Sequence, residues 1–171
     1  MVRTQPTPAV PAAPQTEAPC CAARDASVGV ATDAAEGTRH RADDPVLVVE
    51  DDEKFAQLLT RAFSRAGMST LHASTGDDAL RFVQRGVGYQ AAVLDVMIPH
   101  PDGIEVCRHL RRVDPTLPVV AISARSGFGH RARARAAGAD AFLAKPFSLR
   151  ELVELIAQLI AHADHDSPED P

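Results

Sequence analysis

The sequence predicts a doubly wound α/β domain, a five-stranded parallel sheet with five helices on its two faces, and three observations lead there. Short aliphatic runs alternate five times with segments whose apolar residues recur at helical spacing. The runs are apolar throughout rather than alternating with polar residues, as in strands covered on both faces. Strand–helix alternation also requires right-handed crossovers, which make neighbouring strands parallel.

The elements follow in order. Val46–Val49 is a β-branched and aliphatic run that ends abruptly at Glu50, Asp51 and Asp52. A helix then carries Phe55, Leu58, Leu59, Ala62, Phe63 and Ala66 on one face and stops at Gly67. Residues 69–73 form a short strand, and residues 76–84 a helix with Ala79, Leu80 and Val83 inward. Residues 91–96 form a buried strand broken by Pro99 and Pro101, and residues 104–112 a helix. Residues 118–122 form a strand that opens on proline, a tolerated first position. A short helix over 130–137 is closed by Gly138, and residues 141–144 form the last strand. Ser148 and Glu151 make a capping box for a final helix. Its apolar face runs through Leu149, Leu152, Val153, Leu155, Ile156, Leu159 and Ile160.

Residues 1–44 are rich in Ala, Pro, Thr and Asp and poor in large apolar side chains. They cannot bury enough surface to offset ordering entropy, so they are expected to be a disordered N-terminal extension. The globular part is expected at 45–162, followed by an acidic C-terminal tail at 163–171. A net charge of −5 argues against direct nucleic-acid binding. No apolar run reaches the roughly 20 residues that a membrane helix needs, and no leader pattern opens the chain. Cys20, Cys21 and Cys107 show neither zinc spacing nor a disulfide framework. A reduced, cytoplasmic protein is expected, with Cys107 packing as a small apolar residue.

In an open parallel sheet, ligands bind beyond the carboxyl ends of the strands. Asp51 and Asp52 follow the first strand, Asp95 ends the third, Ser123 follows the fourth, and Lys145-Pro146 follows the fifth. Three carboxylates there repel one another, and a hard divalent cation such as Mg²⁺ would relieve them. Lys145 adds a fixed positive charge and Ser123 a hydroxyl, which suits a site that holds a transferring phosphoryl group. A carboxylate such as Asp95 can accept it as an acyl phosphate. Each residue alone has a plainer reading. Asp51-Asp52 fits a helix N-cap and Asp95 a turn, while Lys145-Pro146 alone is nearly uninformative and Ser123 alone is a weak signal. The combination of four strand ends in this order is what carries the reading.

The segments VLVVEDDE (46–53), LDVMIPHPDGIEV (94–106), VVAISAR (119–125) and GADAFLAKPF (138–147) resemble the four blocks of a bacterial response-regulator receiver domain, CheY-like in type. The resemblance covers about residues 45–161. It implies a flavodoxin-like strand order of 2-1-3-4-5. It implies that Asp95 is the phosphoacceptor, and that Asp51, Asp52, Asp95 and the backbone carbonyl of Met97 hold Mg²⁺. Ser123 is then the switch hydroxyl, Lys145 the phosphoryl-pairing lysine, Phe142 the aromatic switch, and Lys145–Pro146 a cis peptide. The implied partners are a sensor histidine kinase or phosphotransfer protein and a downstream protein effector, with weak homodimerisation on phosphorylation. Catalysis is limited to its own phosphorylation and dephosphorylation, and with no output domain after residue 161 a stand-alone receiver is expected.

Some positions depart from the pattern. Pro101 replaces a residue that is often Met or Gly, and Ser123 stands where Thr is commoner. Gly127 and Gly129 weaken the start of the fourth helix. Arg131, Arg133 and Arg135 read first as a solvated surface and second as a docking face. The seven histidines show no metal spacing and are expected mostly in solvent. The alternative function is a phosphorylation-independent interaction module, which the intact acidic set opposes. A metal-dependent phosphatase would want a second acid–base carboxylate where Met97 stands.

Overall fold

A computed structural model describes residues 43–125 and 127–165, all within one of the two units into which the chain divides, Ala35–Pro171. Ten elements alternate without exception. They are β1 (Val46–Val49), α1 (Glu53–Arg65), β2 (Thr70–Ala73), α2 (Gly76–Gln84) and β3 (Ala91–Asp95). The second half is α3 (Gly103–Val113), β4 (Val119–Ser123), α4 (Phe128–Ala136), β5 (Ala141–Ala144) and α5 (Leu149–His165). The strands form one parallel sheet in the order β2-β1-β3-β4-β5. The architecture and strand order agree with the sequence-based expectation.

The two-residue period of a strand divides the core into two layers. Val46 and Val48 of β1 join Ala91, Val93, Val120 and Ile122 against Leu59 and Phe63 of α1 and Leu152 and Ile156 of α5. Leu47 and Val49 face the other way, with Ala92, Leu94, Val119 and Ala121, against α2, α3 and α4. All four β1 residues are fully buried, so each contributes on the order of 1.5–3 kcal/mol relative to exposure. Coverage on both faces is why the runs are apolar rather than alternating. Among the described residues no helix is long and apolar enough to cross a membrane.

Several boundaries differ from expectation. α4 starts at Phe128 rather than His130, so Gly129 lies in its first turn. Its N-cap Gly127 offers no side-chain acceptor, so the helix start is weakly held, as its glycines suggested. α5 runs through His165, three residues into the segment read as a tail. His162 and His165 place Nδ1 at 2.6 and 2.8 Å from the carbonyls of Gln158 and Ala161, each ring donating back one turn along the helix. At the other end, the carbonyl of Asp44 accepts from Gln90 Nε2 at 2.6 Å. The extension over residues 1–42, with Cys20, Cys21 and His40, and the tail over 166–171 lie outside the described residues.

One side chain ties the right half of the sheet together. Arg111, on α3, donates Nε to the Gly138 carbonyl at 2.7 Å and Nη1 to the carbonyls of Pro115 and Leu117, both at 2.7 Å. Its Nη2 pairs with Asp140, whose Oδ2 also accepts from the Val119 backbone at 2.7 Å. A planar fork reaches all four acceptors at once, and an ammonium cannot. Arg111→Lys is therefore expected to cost about 1–3 kcal/mol, seen as a lower urea midpoint at an unchanged m-value. An unshifted midpoint would show the fork to be idle.

Candidate functional site

The carboxyl ends of β1, β3, β4 and β5 meet at one end of the sheet, and their polar residues converge there. Asp95 is the last residue of β3 and is 5% exposed. Its two oxygens are held from different directions. Oδ1 accepts from the Met97 backbone N–H at 2.8 Å, and Oδ2 accepts from Lys145 Nζ at 2.7 Å. The same ammonium donates to Glu50 Oε2 at 2.9 Å. Oxygens of Glu50, Asp51 and Asp95 lie within 4.8 Å of one another.

The electrostatics follow from the Lys145 ammonium bridging the Glu50 and Asp95 carboxylates, with the Asp51 carboxylate beside them. Burial pushes the Glu50 carboxyl above its ordinary range; the Lys145 hydrogen bond opposes this, and the nearby Asp95 charge adds to it. Burial alone would lower the Lys145 pKa, but its hydrogen bonds to Asp95 and Glu50 outweigh that and raise it, so the ammonium stays charged. The set carries surplus negative charge held close, an oxygen-only donor group suited to a hard divalent cation.

The acidic pair differs from the expected one by one residue. Asp51 belongs to the cluster, as read, but its companion is Glu50, not Asp52. Asp52 caps α1, with Oδ1 accepting from the backbone of Lys54 at 2.9 Å and Phe55 at 3.1 Å. The plainer N-cap reading was correct for that residue. Glu50 was missed because it looked like the first residue outside the strand. Its backbone N–H continues the ladder to the Ala73 carbonyl at 3.1 Å, and its side chain is 1% exposed. A run of three acids directly after a fully buried strand was the available signal, since the first of them still follows the strand's geometry.

Other residues support the floor of the site. His72 places Nε2 2.9 Å from the Glu50 carbonyl, so that nitrogen carries the proton, and His72 is half-buried rather than in solvent. Gly103 starts α3 against the Asp95 backbone; a Cβ there would sit 2.1 Å from the Asp95 carbonyl oxygen.

The family model for the response regulator receiver domain matches residues 46–157. The chain belongs to the response regulator receiver family. It is 40% identical over 121 residues to the response regulator MprA of Mycobacterium leprae, covering 71% of this chain and 53% of that protein. MprA of Mycobacterium sp. (strain KMS) is 39% identical over 127 residues, covering 74% and 55%. The chain thus spans about half the length of these curated relatives. The receiver domain of a Francisella response regulator superposes with a TM-score of 0.65 at 33% identity, over 70% of this chain and 98% of that one. The response regulator TrrA of Thermotoga maritima, solved in complex with Mg(2+)-BeF, gives 0.61 at 27% identity, over 68% and 98%.

The remaining residues of the receiver take the following places. Ser123 is fully buried, and its Oγ accepts from the Arg125 backbone at 3.1 Å. Phe142 lies opposite Ala121 in the sheet and is 9% exposed. The Lys145–Pro146 bond is cis, and so is His100–Pro101. The α4 arginines are not all simply solvated. The Arg131 guanidinium lies 5.4 Å from the Phe142 ring centroid, and Arg133 sits 3.6 Å from Asp102. Cys107 is buried, and burial pushes its thiol to about 11.

Two outcomes follow. Asp52→Ala is expected to cost about 1 kcal/mol of stability, the usual loss of an N-cap acceptor, read from thermal or urea unfolding. For Glu50, the folded carboxyl holds its proton more tightly than the unfolded one. In metal-free buffer, wild type should therefore lose stability relative to Glu50→Gln as pH rises from 4.5 through the raised folded value. Parallel stability curves for the two proteins across that range would show Glu50 to be effectively solvated.

Proposed function

We propose that this receiver is a phosphoryl switch that accepts phosphate on Asp95 from a phosphohistidine donor. The observation that carries the reading is the buried Asp95 carboxylate, oriented by Met97 N–H and Lys145 and packed against Glu50 and Asp51. Burial in one fixed orientation presents an oxygen to phosphorus, and positioning is the larger part of phosphoryl-transfer catalysis.

Glu50, Asp51 and Asp95, with the Met97 carbonyl that the family resemblance adds, would hold Mg²⁺. When bound, Mg²⁺ supplies neutralisation of the carboxylate cluster and of the phosphoryl oxygens. This chain's own residues do the rest. An Asp95 oxygen forms the new P–O bond while the donor's P–N bond breaks, and the electron pair leaves with the imidazole. A carboxylate nucleophile carries no proton that has to be removed. Lys145 pairs with a phosphoryl oxygen, and the Ser123 hydroxyl donates to another once it turns from its contact with Arg125 N–H. Phe142 then follows toward the space that Ser123 leaves, changing the face formed by α4, β5 and α5. Water returns the carboxylate and releases inorganic phosphate.

The proposed partners are a sensor histidine kinase or phosphotransfer protein upstream and a protein effector downstream. The globular part is proposed as residues 43–165, with the segments on either side as extensions.

The test is intact mass after incubation with acetyl phosphate, with and without Mg²⁺, for wild type and Asp95→Ala. A single phosphoryl adduct is expected on wild type with Mg²⁺ and on neither control. A folded wild type that takes no adduct would turn the reading to a phosphorylation-independent interaction module. Mg²⁺ affinity, followed by titration, is expected to fall at least tenfold in Glu50→Gln and to change less than threefold in Asp52→Ala. The reverse order would restore Asp52 to the metal set.

A further inference from the structure

We propose that Phe55 is a positioning residue for the reaction at Asp95, its ring face holding the Lys145 ammonium against Asp95 and Glu50. The inference rests on the phosphoryl-switch reading and adds a residue to it.

Lys145 Nζ has three N–H groups. Two directions are taken by Asp95 Oδ2 at 2.7 Å and Glu50 Oε2 at 2.9 Å. On a further side Nζ stands over the Phe55 ring, 4.4 Å from its centroid. That is within cation–π range, where the negative face of the ring attracts the ammonium and excludes a competing water. The ring is itself held twice. The Phe55 backbone N–H is bound by the Asp52 cap at 3.1 Å, which fixes the first turn of α1. Its ring meets the edge of Phe147 with centroids 6.0 Å apart at 71°, a favourable edge-to-face contact. Phe147 lies two residues after Lys145. Phe147 therefore braces the Phe55 ring from the loop that carries Lys145.

A lysine side chain has four rotatable bonds and little intrinsic preference for one position. Carboxylates alone would let it swing as the charge on Asp95 changes during transfer. A ring face carries no charge to redistribute, so it keeps Nζ beside the phosphorus while the carboxylate becomes an acyl phosphate.

The test compares wild type, Phe55→Leu, Phe55→Tyr, and protein with mono-, di- and trifluorinated phenylalanine at position 55. Fluorination drains the ring face while keeping its shape. The rate constant of phosphorylation by acetyl phosphate is measured at saturating Mg²⁺, with melting temperature and Mg²⁺ affinity alongside. Phe55→Leu is expected to slow phosphorylation about three- to thirtyfold, with Mg²⁺ affinity unchanged and Phe55→Tyr restoring the rate. The rate should fall stepwise with each added fluorine at a constant melting temperature. An independent readout is the Lys145 ε-CH₂ proton signal, which ring current should shift upfield in wild type and release in Phe55→Leu. A rate that is flat or rises along the fluorinated series overturns the inference and leaves the switch reading intact. A wild type that is not phosphorylated at all overturns both.

Discussion

The constraint on which the site depends is the burial of negative charge at the carboxyl edge of the sheet, held in place by the single ammonium of Lys145. β1 and β3 are adjacent strands buried on both faces, so the acids that end them are delivered side by side with little water between them. Repulsion between Glu50 and Asp95 is answered by a lysine that arrives from β5, two strands away from β3, and donates to both. That bridge spans 95 residues of sequence and joins the end of β5 to the end of β1, strands that are not neighbours in the sheet.

The rest of the architecture keeps those strand ends in register. The two apolar layers fix β1, β3 and β4 so firmly that the loops above them are free to carry polar residues. Where a loop must press on the site, a glycine makes room, as Gly103 does beneath the Asp95 backbone. Arg111 does the corresponding work on the far side of the sheet, tying the end of α3 to the chain segments that lead into β4 and β5. α4 contrasts with this. It has no side-chain cap and meets the rest of the domain partly through Arg131 against Phe142 and Arg133 near Asp102. The firmly held half carries the candidate site, and the weakly held helix belongs to the face that the proposed switch would change.

Much was legible in the sequence because the physics is local. Continuous apolar runs such as Val46–Val49 read as buried strands, and the helical spacing of Phe55, Leu59 and Phe63 read as a helix face. Asp95 and Lys145 stood out because each ends such a run. The shift from Asp52 to Glu50 shows where this stops. Three consecutive acids are chemically alike on paper. Which one points into the site depends on whether the strand's ladder extends one residue further, and here it does, to the Ala73 carbonyl. The next acid but one is then left at the helix start, where it caps.

The sequence by itself determined the order of elements, the parallel sheet and the chemical types at its edge, because period and polarity are properties of neighbouring residues. The tertiary structure decided which side chains meet. It chose Glu50 over Asp52, bound His72 to the Glu50 backbone, spread Arg111 over four acceptors and set the Phe55 ring over Lys145. Those pairings join residues far apart in the chain, and their distances exist only once the crossovers have brought separate strand ends to one place.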